Sequence, residues 1–195
     1  MFEVFVDGSS SRKKGLIGTS YIIFKNRELI PIKEFNKGFI DIQARNGIAE
    51  LLGVYYFLYD LCTDNLDCMR EIYNQDIIIY SDSQYVVNEL TIWFKYQMIK
   101  NFFEIKNKEI ILYILFMLYI LRKDWRLNIK LKWVRGHQKG EIFEIYGNNL
   151  ADKRAFEARN ENFLEEDIEN LIKRIKGCVE SEEILKFVKK AYSEI

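Results

Sequence analysis

Short apolar runs of strand-like composition open the chain. FEVFV (residues 2–6) reads as a buried strand, IGTSYIIF (17–24) as its hairpin partner beyond the turn SSSRKKG, and ELIPIKEF (28–35) as a third strand. Pro31, the single proline, falls inside that third segment and marks it as an edge strand, because proline donates no ladder hydrogen bond. From Gln43 to Leu61 the spacing changes, and Ile48, Leu51, Leu52, Tyr55 and Leu58 recur at helical intervals. DIIIY (76–80) is a short apolar run, as expected of a parallel strand covered on both faces. Helices are predicted over 83–90, 93–106 and 108–122, a strand over 129–134 (IKLKWV), and a helix over 148–159. Two amphipathic pieces, 163–177 and 182–192, close the chain, with Gly177 as the stop between them.

This order predicts an α/β fold. An antiparallel meander followed by crossover units gives a five-stranded mixed sheet with helices on both faces. A length of 195 residues suits one domain with its own core, here 1–158, followed by a helical C-terminal extension over 159–195. The longest apolar run, 110–121, has 12 residues, too few to span a bilayer, so no membrane partner is expected. Cys62, Cys68 and Cys178 are odd in number and form no CxxC pair, and Met1 leads straight into a strand, so a reducing, cytoplasmic setting is expected.

Formal net charge is zero, which by itself argues against a polyanion ligand, but the distribution changes that picture. Arg122 to Lys139 carries seven basic residues against one acidic residue, whereas the stretch from Glu157 onward has ten acidic and seven basic. A local basic face attracts a phosphate backbone, although a run of charge is also what a solvated surface strand carries.

Four acidic residues stand where a strand ends or beside an apolar helical stripe: Asp7, Glu50, Asp82 and Asp152. A carboxylate just after an apolar strand is pinned by the sheet yet open at its edge, which suits hard cations such as Mg²⁺. Several together can hold two ions for in-line displacement at phosphorus. Each has a plainer reading. Asp7 before Gly8 can be a turn, Asp82 can cap the following helix (though Ser81 and Ser83 could do so instead), and Asp152 can lie on any helix surface. Glu50 is harder to dismiss, since a mid-helix glutamate between Ala49 and Leu51 is costly without compensation. His137, the only histidine, lies in RGHQKG after a strand, where an imidazole could relay protons.

The order VDGS, a helical glutamate, YSDSQYVV, WVRGH and NxxxD resembles the type 1 ribonuclease H family over roughly residues 1–158. The resemblance implies the ribonuclease H-like fold and endonucleolytic hydrolysis of the RNA strand of RNA/DNA hybrids, leaving 5′-phosphate and 3′-hydroxyl ends. It also implies two Mg²⁺ ions, with Mn²⁺ as a substitute, and makes Asp7, Glu50, Asp82 and Asp152 the metal ligands. Asp7 and Asp152 would serve the ion that activates water, and Asp7, Glu50 and Asp82 the ion at the leaving oxygen. His137 would assist as a catalytic proton shuttle. Substrate contacts implied in the same way are Ser9, Ser10, Asn46, Gln84 and Asn148. Lys95, Lys100 and Lys106 fall where longer members carry a basic protrusion, and Arg135 and Lys139 extend that surface. The chain departs from the pattern at Gly47 and Ile48, at the shorter turn carrying Arg12, Lys13 and Lys14, and in a longer loop after His137 with an added aromatic segment, IFEIY.

Two other readings stay open: a DNA nuclease or integrase-like enzyme on the same fold, and a non-catalytic hybrid-binding scaffold, which would have to lack a carboxylate. A monomer is expected. The extension is expected to be helical and dispensable for chemistry, because every candidate catalytic group precedes it, and its apolar stripe (Leu164, Ile168, Leu171, Ile172, Ile175) must pack on the domain or on a protein partner.

Overall fold

The structure, a computed structural model, describes residues 1–66, 69–72, 75–93, 106–160 and 166–182, with 184, 186, 187 and 190. The elements are β1 (Phe2–Ser11), β2 (Leu16–Lys25), β3 (Lys33–Ile40), α1 (Asn46–Cys62), α2 (Met69–Ile72), β4 (Asp76–Ser81), α3 (Gln84–Asn88), α4 (Lys108–Lys123), β5 (Asn128–Trp133), α5 (Phe143–Asn160) and α6 (Ile168–Val179). A single π turn, Glu89–Trp93, extends α3. The five strands form one mixed sheet in the order β3-β2-β1-β4-β5, antiparallel from β3 to β1 and parallel from β1 to β5.

Alternation along the strands sends side chains to two cores. Val4, Val6, Tyr21, Ile23, Ile77 and Ile79 pack with α1, α4 and α6 on one face. Phe5, Ile22, Phe24 and Tyr80 pack with Phe143 and Ala151 of α5 on the other. The mixed sheet with helices on both faces is therefore as expected. The apolar run 110–121 is the buried face of α4, and among the described residues no helix is long and apolar enough to cross a membrane.

Several boundaries differ from the sequence reading, among them the stop expected at Gly177, which α6 passes to end at Val179. β1 does not stop at Val6 but runs through Asp7 to Ser11, because the antiparallel ladder with β2 continues to Ser11↔Leu16. Its parallel ladder with β4 ends earlier, at Phe5↔Tyr80. The third strand lies at 33–40, not 28–35; Pro31 precedes it, and the strand is nonetheless an edge. The helix expected from 148 begins at Phe143, so IFEIY is no added loop: Phe143 is buried against Phe5 and Phe24 and opens α5. That helix runs to Asn160, across the boundary expected at 158. The helix expected over 93–106 lies almost wholly outside the described residues.

The extension joins the main core: Ile168, Leu171, Ile175, Val179, Ile184 and Phe187 are buried with α1 and α4. Asp167 also forms an isolated parallel bridge with Ile40 at the end of β3.

Candidate active site

The differing lengths of the β1 ladders create the site. Beyond Phe5 the β4 side of β1 is unpaired, so Asp7 sits inside an antiparallel hairpin yet next to the point where β4 gives way to Asp82. Gly8 is there for proximity and not for a turn. A Cβ at this position would stand 2.3 Å from the Glu50 backbone nitrogen and 2.4 Å from the Ala49 carbonyl carbon, so only glycine lets α1 lie this close to β1. From the opposite face α5 is held by Ser20, whose hydroxyl donates to the Ala151 carbonyl at 2.7 Å, next to Asp152. The loop after β5 presses on Asp82: a Cβ at Gly136 would meet Asp82 Oδ2 at 2.1 Å.

The outcome is one cleft lined by Asp7, Gly8, Ser9, Ser10, Asn46, Glu50, Asp82, His137 and Asp152. Asp7 is 6% exposed and accepts the Gly8 N–H at 2.7 Å. Burial, and then the neighbouring charges of Asp82, Asp152 and Glu50, push its carboxyl up to about 8 against that hydrogen bond. Glu50 is likewise raised, chiefly by burial and then by Asp82, although it accepts hydrogen bonds from Ser83 Oγ (2.6 Å) and Asn46 Nδ2 (2.7 Å). Ser83 also caps α3, its hydroxyl accepting the Val86 N–H, which leaves Asp82 free of capping duty. The Trp133 indole N–H donates to the Asp82 carbonyl at 2.9 Å, fixing the backbone there. His137, at φ 52, is largely exposed, with Nδ1 3.9 Å from Asp152 Oδ2.

Among the described residues, no Lys or Arg pairs with Asp7, Glu50 or Asp82. Crowded acids without a counter-charge fit a divalent cation, whose oxygen donors are carboxylates of this kind. Among those residues no three His, Cys, Asp or Glu side chains yet form a ready-made cage for an ion, so the fit rests on the donor set and the shared cleft.

The remaining expected contacts divide. Ser9, Ser10 and Asn46 line the cleft. Gln84 is exposed in the first turn of α3 and is not among the lining residues. Asn148, expected at the substrate surface, is 2% exposed: it lies behind the cleft with Nδ2 3.4 Å from Asp82 Oδ2 and its own Oδ1 unpartnered. Lys106, Arg135 and Lys139 are exposed, whereas Lys95 and Lys100 lie outside the described residues. Part of the basic run is spent internally, since the Arg122 guanidinium donates to the Ile129 carbonyl. Sequence reasoning weighed Ser83 only as a cap and gave no part to Trp133 or Gly136; the motifs SDS and WVRGH held the signal, but not the contacts.

Residues 1–160 match the family model described as RNase H. The ribonuclease H of Orientia tsutsugamushi (strain Boryong) is 28% identical over 155 residues, spanning 78% of this chain and 79% of that protein. LC11-RNase H1 in complex with an RNA/DNA hybrid has TM-score 0.57 at 16% identity, over 82% of this chain and 97% of that one. The prototype foamy virus protease-reverse transcriptase has TM-score 0.63 at 17% identity, with 82% of this chain covering 21% of that one. The solved structures share the fold, and the family model spans most of the sequence: the chain belongs to the RNase H family.

Proposed function

We propose that the chain hydrolyses the RNA strand of RNA/DNA hybrids endonucleolytically, leaving 5′-phosphate and 3′-hydroxyl ends. The observation that carries this reading is the convergence of Asp7, Glu50, Asp82 and Asp152 on one cleft with His137, where among the described residues no Lys or Arg pairs with them. Two Mg²⁺ ions, or Mn²⁺ in their place, would be held by Asp7 with Asp152 and by Asp7 with Glu50 and Asp82; bound there, such ions neutralise phosphate charge and make water a better nucleophile. Asp7, the most buried of the four, is the natural shared ligand. Ser83 and Asn46 orient Glu50, and Gly136 and Trp133 hold Asp82 in register. His137, on an exposed loop beside Asp152, can pass a proton to or from solvent at the scissile oxygen. Ser9, Ser10, Asn46 and Gln84 are the proposed contacts to the hybrid, and Lys95, Lys100, Lys106, Arg135 and Lys139 its phosphate track. No catalytic carboxylate is lost, which weighs against a binding scaffold.

Cleavage of matched RNA/DNA hybrid, RNA duplex and DNA duplex, each in Mg²⁺ and in EDTA, tests the proposal. Cutting of the RNA strand of the hybrid alone, abolished by EDTA, is expected. Preference for DNA duplex would move the chain to the DNA-nuclease reading, and cutting in EDTA would remove the cation from the reaction.

A further inference from the structure

The C-terminal helix contributes no residue to the cleft, yet a run of polar contacts leads from it back to Glu50. Between the end of β3 and the start of α1 the chain is held from outside at several points. The Ile40 N–H donates to the Glu166 carbonyl at 3.0 Å and the Asp41 N–H to the Gly15 carbonyl at 2.9 Å. The Asp41 carboxylate, 2% exposed, accepts the Gln43 N–H, the Arg45 N–H and Arg45 Nε. The Arg45 guanidinium then reaches the tail, with Nη2 2.7 Å from Glu169 Oε1. Arg45 thus binds two carboxylates separated by well over a hundred residues in sequence.

Immediately after Arg45 comes the start of α1, whose first turn lacks the usual local anchors. No side chain caps it and its first turn contains no acidic residue. Ala44 stands at φ 46, a conformation that a non-glycine residue keeps only when its surroundings enforce it. Asn46, one residue further, donates to Glu50 Oε1 at 2.7 Å. The far end is firm, since Ile168, Leu171, Ile175 and Val179 bury α6 in the main core.

From these contacts we infer that the tail is a strap for the catalytic centre: Glu169 holds Arg45, Arg45 sets the first turn of α1, and that turn, through Asn46, sets the position of Glu50. Glu169 and Arg45 are positioning residues that touch neither substrate nor cation. The inference rests on the role proposed above for Glu50. Catalytic groups tolerate little displacement, so a strap this close to a ligand governs rate.

The test uses the full chain. Glu169 is about half exposed and lies off the buried face of α6, so its replacement leaves that packing in place. Glu169→Lys is expected to lower kcat about tenfold, with a smaller rise in KM for the hybrid because Asn46 also lines the cleft. It should also raise the Mg²⁺ concentration giving half of the Mg²⁺-induced rise in Tm, and Glu169→Gln should do the same to a smaller degree. Asn170→Lys places the same charge one residue along the exposed start of α6, away from Arg45, and is expected to match wild type in all three readouts. Wild-type kcat and Mg²⁺ response in Glu169→Lys, or an equal loss in Asn170→Lys, would overturn the strap. Glu50→Gln separates the two claims. If it still cleaves, the reading of Glu50 fails; if it is inactive while Glu169→Lys behaves as wild type, the strap alone fails.

Discussion

Asp7 and Asp41 are both buried aspartates, 6% and 2% exposed, and their surroundings could hardly differ more. Asp41 faces a guanidinium and accepts two backbone N–H groups besides. Asp7 accepts one backbone N–H and is crowded by Asp82, Asp152 and Glu50. Burial of a carboxylate is costly unless it is paired and hydrogen-bonded. Asp41 meets that condition within the fold and serves the fold. Asp7 does not: among the described residues no Lys or Arg pairs with it, and in the proposed role a divalent cation would supply that charge. The difference between these two buried acids therefore lies in the partner, not in the burial.

The largest expected effect comes from replacing the crowded acids of the cleft. Asp7→Asn and Asp82→Asn should abolish cleavage while leaving the protein folded, as single-turnover assays and melting curves would show. A variant cutting within about tenfold of wild type, a loss no larger than a single hydrogen bond gives, would remove that residue from the site. The sign of the stability change distinguishes the two buried acids further. Because the folded carboxyl of Asp7 is raised to about 8, its neutral form is favoured by folding. Its contribution to stability is complete below the ordinary carboxylate range and is lost as pH rises towards 8. Metal-free protein should thus lose stability between pH 5 and pH 8 partly through Asp7, and Asp7→Asn should flatten that fall.

His137→Ala probes the exposed imidazole beside Asp152. Turnover should slow by about 10²–10⁴ without vanishing, the span usual for general acid or base assistance. Complete inactivity in a folded variant would make His137 a ligand or a structural residue instead.

Asp41→Ala breaks the paired acid and should act the opposite way from Asp7→Asn, lowering stability by roughly 2–4 kcal/mol because Arg45 and two N–H groups lose their acceptor. Denaturant unfolding would measure it, and an unchanged midpoint would deny Asp41 its structural role.

The smallest effect is expected at the exposed basic residues proposed as a phosphate track. Replacing Arg135, Lys139 or Lys106 by Ala should weaken hybrid binding and flatten the log-log salt dependence by about 0.9 for each lost phosphate contact, the value for B-DNA. Unchanged slope and affinity would make these residues a solvated face.

Much of this was legible from the sequence because it is written locally. The strands at 76–80 and 129–134, the helix at 108–122, and the order of strands and helices follow from composition and period, and the four acids stand out against apolar neighbours. What escaped depends on pairing between distant segments. β1 runs past Asp7 because β2 continues to pair with it, and no pattern within FEVFVDGSS distinguishes that from a turn. Gly8 read as a turn residue and Gly136 drew no reading, yet both are needed because another element comes within a few ångströms. IFEIY looked like a loop insertion because Phe143 packs on a second core built from Phe5 and Phe24, a contact between distant segments. Arg45 and Glu169 lie too far apart in sequence for either to point to the other.

The central claim, that the carboxylate cleft is built at a cost to the fold which a divalent cation relieves, is tested most directly by the melting temperature at pH 7. Wild type and Asp7→Asn would each be melted in EDTA and in Mg²⁺. Wild type should rise with Mg²⁺, while Asp7→Asn should start above wild type in EDTA and respond little to the ion. A wild-type protein indifferent to Mg²⁺, or an Asp7→Asn protein less stable than wild type in EDTA, would contradict the claim.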